Sequence, residues 1–191
     1  MTLLDTNEST VQAPIEERFN SLVRRYEKSE HAKRPHYRKV LSEFIDFSPD
    51  SDRLIDSLIM HCIAMSNVDR LDMAIDVLST IGSQIQDYTW KYLQNEINQF
   101  SRLYPSDEFR PNGDYWHILL RSMARCSERK DVSCKILSVC QDTKSRSVSE
   151  SVVESLGDLG TDEAKQLLSH IVHTNDDAFV RELATEVLQD F

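Results

Sequence analysis

From Pro14 onward, apolar residues recur at helical spacing almost without a break. Ile15, Phe19, Leu22, Val23 and Tyr26 fall on one helical face, with Pro14 where a helix start tolerates proline. Tyr37, Val40, Leu41, Phe44 and Ile45 predict a second helix, opened by Pro35. Asp50 or Ser51 can cap a third, carrying Leu54, Ile55, Leu58, Ile59, Cys62 and Ile63, with a break at Asn67. Leu71, Ala74, Ile75, Leu78 and Ile81 predict a fourth, ending near Gly82. A long stripe of Trp90, Leu93, Ile97 and Phe100 follows, with Asp87 as its expected cap. Residues 1–13 are polar and aperiodic and read as a flexible tail. Pro105–Gly113 holds two prolines, a glycine and several charges, and reads as a loop between 14–104, an N-terminal helical sub-bundle, and 113–191, the two forming one continuous domain.

The C-terminal part repeats itself with a shift of 32 residues. Trp116, Val148 and Val180 align, as do Leu120, Val152 and Ala184, and then Ala124, Leu156 and Leu188. All nine are apolar at i, i+4 and i+8. The intervening segments align too: Val132 with Ala164, Ile136 with Leu168, Val139 with Ile171, and Cys140 with Val172. One shift that serves two kinds of helix marks an α-solenoid, in which each helix pair hides its apolar faces only by leaning on its neighbours. The expected fold is all-α, a helical-hairpin repeat array of about ten helices.

Leu156-Gly157-Asp158-Leu159-Gly160, then Ala164 and Leu167-Leu168, then Val180-Arg181 with Ala184 and Leu188, resemble HEAT-like repeats of the short type found in phycobilisome lyases. The likeness is strongest over 146–190 and weaker over 113–142. Ser149 stands where the family usually has Arg, and Val152 where it has Ala. The resemblance implies that 114–127, 146–159 and 177–190 are convex helices, and that 131–142 and 162–173 line a concave face. Lys135, Ser138, Gln141, Lys165, Ser169, His170 and His173 would then form part of a protein-binding surface. It also implies, as one alternative, an accessory role to a bilin-lyase-type enzyme.

Charge is unevenly spread. The net charge is −10 and the pI about 5.0, which works against bulk attraction of nucleic acid. Glu150, Glu154 and Asp158 form one i, i+4, i+8 row, and Glu182, Glu186 and Asp190 repeat it at the same shift. Two residues removed from the apolar positions, the rows are expected to face away from the core and stack into an acidic stripe that could dock a basic partner. The opposite charge lies in 18–39, where Arg18, Arg24, Arg25, Lys28, Lys33, Arg34, Arg38 and Lys39 face only Glu27 and Glu30. Tyr26, His31, His36 and Tyr37 are interleaved with them. Bases among aromatics are the pattern of a nucleic-acid surface, so a nucleic-acid-binding or DNA-repair-related role through this hairpin is a further alternative. Pairing of the basic segment with the acidic end of another copy would give a homo-oligomer.

No catalytic constellation stands out. Gly82, Gly113, Gly157 and Gly160 form no phosphate-cradling motif. His170 and His173 share a face at i, i+3, but the aligned positions hold Ser138 and Gln141, too few ligands for a metal. His117, beside Tyr115 and Trp116, reads as a histidine at a helix start or core edge. No cofactor is expected. Four Gly and five Pro are too few for an all-β fold, and no stretch is apolar enough for a membrane span. Met1–Pro14 has neither a basic start nor a long apolar run, so no secretory signal is expected. Cys62, Cys126, Cys134 and Cys140 lack CxxC spacing and read as reduced thiols of a cytoplasmic protein. The expected role is a non-catalytic protein–protein adaptor or regulatory subunit.

Overall fold

The computed structural model describes residues 14–64, 68–103, 113–141 and 145–191. The expected tail 1–13, the break at Asn67 and most of the 105–113 loop lie outside the described residues. Ten α-helices fill what is described: α1 Ile15–Lys28, α2 Arg34–Asp46, α3 Ser51–Ala64, α4 Val68–Leu78, α5 Ser83–Leu103, α6 Gly113–Arg125, α7 Lys130–Cys140, α8 Arg146–Leu159, α9 Asp162–Thr174 and α10 Ala178–Gln189, with one 3-10 turn at His31–Lys33. The fold is an all-α solenoid.

Packing pairs each odd helix with the even helix after it: α1 with α2, α3 with α4, α5 with α6, α7 with α8, α9 with α10. The even helices then lie side by side in chain order from α2 to α10, so the array runs through the described chain. The odd helices touch one another much less. Sequence shows why the even layer is tight around α8. Ser147, Ser151 and Ser155 sit at i, i+4 and i+8, and the latter two are buried. At the head of this ridge Ser147 lies so close to Gly113 of α6 that a Cβ there would meet its side chain at 2.8–2.9 Å. On the other side, a Cβ on Gly157 would meet the Val187 Cγ1 of α10 at 2.8 Å. Small residues let the helix axes approach.

Two buried clusters meet on α6. Tyr115, Ile118 and Leu119 join the cluster built by α1–α5, while Trp116, Leu120, Met123 and Ala124 join that of α7–α10. Eight of the thirteen residues of α6 are buried, so two faces of this helix are covered, one by each cluster. The repeat positions Trp116, Val148, Val180, Leu120, Val152, Ala184, Ala124 and Leu156 are all buried. Leu188, on the last turn, is partly covered. Val139 departs from the expectation: it is 43% exposed, whereas its aligned partner Ile171 is buried.

Local chemistry sets the ends. Gly160 closes α8 at φ 61°, the left-handed region where glycine has no Cβ penalty. Thr161 then caps α9 by accepting from the Ala164 N–H at 3.2 Å, with Asp162 and Glu163 in the first turn, where acidic groups suit the helix dipole. Asp177 caps α10 through the Phe179 N–H at 2.9 Å. Asp87, expected to cap the fifth helix, lies inside it, because α5 starts at Ser83. The cap comes instead from a distant loop: the Ser83 N–H donates to the Glu128 carboxylate at 3.0 Å. Buried Gln86 donates to the Glu128 carbonyl at 2.5 Å and to Ser133 Oγ at 3.0 Å, and Arg129, at φ 46°, is held by Asp87 at 2.7 Å. This clamp fixes the α6–α7 turn to α5. A second tie runs from α5 to α3: Tyr88 and Tyr115 share a hydrogen bond at 2.7 Å, and Tyr115 donates to Asp56 at 2.7 Å. Burial pushes the Tyr88 phenol up to about 12.

The stiff Val187 cannot swing away from a methyl at 157, so Gly157→Ala is expected to cost about 1–3 kcal/mol. In a Val187→Ala background the same change becomes neutral or stabilising, since the helix-propensity gain of about 0.5–1 kcal/mol then shows. Denaturant unfolding of the four-variant cycle checks both numbers.

Candidate protein-interaction surface

Charged rows run along the solvent side of the even layer. On α2, Arg38 reaches Asp76 of α4 at 3.7 Å. On α6, His117, Arg121 and Arg125 stand at i, i+4 and i+8 and face α8. Arg121 donates to Glu154 at 2.8 Å and also bonds Asp158. Arg125 meets Asp158 at 3.1 Å, and His117 meets Glu154 at 3.4 Å. The Arg121 side chain is only 17% exposed. Burial works against its charge, but the hydrogen bond and charge of Asp158, with those of Glu154, outweigh it and leave the guanidinium's pKa raised. For His117 the balance is reversed: burial dominates, Arg121 adds to it, and the opposing pull of Glu154, Asp114 and Asp72 leaves its pKa lowered.

This ladder corrects the expected acidic stripe. Glu154 and Asp158 do not stand free; they are half-buried acceptors locking α8 to α6. Glu150 pairs with Arg146 on its own helix at 2.8 Å. Arg146 also reaches Asp177 at 3.7 Å and lies over the Phe179 ring at 4.4 Å. Glu182, Glu186 and Asp190 are different: all three are exposed and form no salt bridge among the described residues. The basic row of α6 was not recognised from the sequence. Its signal was present in the i, i+4, i+8 spacing of His117, Arg121 and Arg125.

On the odd layer, α7 and α9 splay apart around an open groove of about 450 Å³. Cys134 and Leu167 give it apolar lining, and Lys130, Asp131, Lys135, Ser138 and Glu163 stand along it. Of the seven residues assigned to a concave face, only Lys135 and Ser138 line this groove. Lys165 turns toward the Phe191 ring at 5.7 Å. Ser169 donates to the Lys165 carbonyl at 2.9 Å, and His173 Nδ1 lies 2.6 Å from the Ser169 carbonyl. Gln141 is partly covered and His170 exposed. Among the described residues, no three His, Cys, Asp or Glu side chains gather as a metal site requires, and no helix is long and apolar enough to cross a membrane.

The basic segment divides. Arg24, Arg25 and Lys28 are exposed on α1 and form no salt bridge among the described residues. Lys33 pairs with Glu30 at 3.5 Å, Lys39 with Glu43 at 3.8 Å, and Arg38 with Asp76 as above. Arg34 is partly covered, and Arg18 lies over the Phe44 ring at 5.7 Å. The two interleaved tyrosines are not free to stack on bases: Tyr26 is buried and Tyr37 packs against the core. His36 is exposed, and the His31 side chain lies outside the described residues. Cys62, Cys126 and Cys140 are buried free thiols, and Cys134 is partly covered; burial pushes Cys62 and Cys140 up to about 12.

Residues 114–189 match the family model of HEAT repeats, covering α6 to α10. Comparison with curated proteins found no match, and neither did comparison with solved structures. The matched segment is a HEAT-like repeat array. The match is to HEAT repeats as such and does not single out the lyase type.

Removing Arg121 strands two half-buried carboxylates. Arg121→Ala is expected to cost about 1–3 kcal/mol, against less than about 1 for the more exposed Arg125→Ala; urea unfolding separates the two. His117 binds its proton less tightly folded than unfolded. It therefore contributes stability above its unfolded value of about 6.5, and this is lost as pH falls below that value through the folded pKa. The stability advantage of wild type over His117→Gln should shrink between about pH 7.5 and pH 5, read as the difference in unfolding midpoint.

Proposed function

We propose that the protein is a non-catalytic adaptor or regulatory subunit that holds a protein partner on the even-helix layer. HEAT repeats generally mediate protein–protein interaction, and the observation that carries the reading is the asymmetry of the two layers. A bent double layer keeps its closer-packed helices on the inside of the bend. The closer-packed layer is the even one, so α6, α8 and α10 are the inner helices, and α7 and α9 the outer. This reverses the sides that the sequence implied. The seven residues from Lys135 to His173 then belong to the outer surface, where the α7–α9 groove is a secondary contact. The inner face presents charged residues on a rigid frame, which favours specificity and steering over bulk adhesion.

The nucleic-acid reading retains Arg24, Arg25 and Lys28 but loses the aromatic platform that single-strand binding uses. The bilin-accessory reading has no feature of its own in support.

Site-specific photo-crosslinkers placed at Thr185 on α10, at Ser138 on α7 and at Arg24 on α1 compare the three surfaces in cells of the native source. The adaptor reading expects one discrete protein adduct at Thr185, weaker or absent at Ser138, and none with nucleic acid at Arg24. A nucleic-acid adduct at Arg24 with no protein adduct at Thr185 overturns it.

A further inference from the structure

We infer that the edge of α10 above α8 docks a basic helical segment of the protein partner, one that carries Arg or Lys at i, i+4 spacing. The inference rests on the adaptor reading and names the chemistry of what is held. It comes from comparing two steps of the same array. Between α6 and α8, Arg121 and Arg125 of one helix fill the carboxylates Glu154 and Asp158 of the next. A shift of 32 carries those acceptors onto Glu186 and Asp190 of α10, with Glu182 one turn before. The same shift carries the donors His117, Arg121 and Arg125 onto Ser149, Val153 and Gly157 of α8, none of which bears a charge. The acceptors are retained and the donors are gone.

Nothing on α8 can restore them. Val153 is fully buried, and Gly157 lies so close to Val187 that even a Cβ would collide. The carboxylates therefore stand exposed at i, i+4 spacing, where they repel one another and lower helix stability. At the equivalent place one step earlier, the same side-chain pattern holds guanidinium groups. Arginine suits it because its planar fork can engage two carboxylates at once, as Arg121 does. Among the described residues, the basic row without a salt bridge, Arg24, Arg25 and Lys28, belongs to α1, whose packing partners are α2 and α3. It does not pack on α10, which points to another molecule as the source of the missing row.

The test uses the full chain and two helical peptides of identical composition. One has Arg at i, i+4 and i+8 on a single face; in the other the same arginines are scattered round the helix. Fluorescence anisotropy should show salt-sensitive binding of the first, with the second weaker by roughly tenfold or more. The triple variant Glu182→Gln, Glu186→Gln, Asp190→Asn should lose that preference. A control with the same charge change, Glu17→Gln, Glu43→Gln, Asp50→Asn, should keep it. Thermal unfolding of the α10 triple variant should match or exceed wild type; a fall would show the row already engaged within the fold and overturn the inference. Equal binding of both peptides, or of wild type and α10 variant, overturns it as well. Salt-sensitive self-association abolished by Arg24→Gln, Arg25→Gln, Lys28→Gln would assign the row to a second copy instead. A Thr185 crosslink that survives the α10 triple variant would leave the adaptor reading standing and remove this one.

Discussion

The burial of α6 from both sides is the constraint on which the rest depends. One face of this helix closes the cluster of α1–α5, and the other closes that of α7–α10. Leu93 of α5 joins the second cluster and Tyr92 packs against both, so α5 and α6 together carry the contact between the two halves. In a quasi-one-dimensional array such a helix couples local stabilities that would otherwise vary independently. The Glu128–Gln86 clamp and the Tyr88–Tyr115–Asp56 chain reinforce the coupling with directional bonds, tying α5 to the α6–α7 turn and, through α6, to α3. Several buried polar groups at the joint, Gln86, Tyr88, Tyr115 and Ser133 among them, are held by these bonds, which keeps the cost of burying them low.

On this frame the charges divide into structural and available ones, and sequence counting does not separate them. Glu154 and Asp158 look like Glu186 and Asp190 in every local respect, with the same spacing and a similar distance from the apolar stripe. What differs is the helix behind them. Two arginines and a histidine on α6 turn the first pair into an interhelical lock, whereas a serine, a valine and a glycine on α8 leave the second pair to solvent. Charge already engaged within the fold is not available to another molecule.

Helix existence was legible because the apolar period is strong, and the shift of 32 located the buried positions of α6, α8 and α10 down to individual residues such as Trp116, Val152 and Ala184. The side each helix occupies was not legible. Periodicity says which face of a helix is covered, but not which neighbouring helix covers it: α8 packs against α6, α7, α9 and α10. Ser151 and Ser155 carried no signal in the apolar pattern, yet they are covered, because small volume, not polarity, suits the α6–α8 contact. The α5 start was misplaced by five residues because its cap is supplied by Glu128, remote in sequence, and the buried tyrosine chain has no sequence signature at all.

The small residues of α8 also determine something no surface residue does. The ridge of Ser147, Ser151 and Ser155 on one flank and Gly157 on the other fix how near α6, α8 and α10 come to each other, while α7 and α9 touch much less. The difference in spacing between the layers is what bends a double layer. Side-chain volume at these four positions of α8 thus sets the spacing of the even layer, and exchanging a methyl or two there would alter that spacing while every charged group on the surface stayed chemically the same.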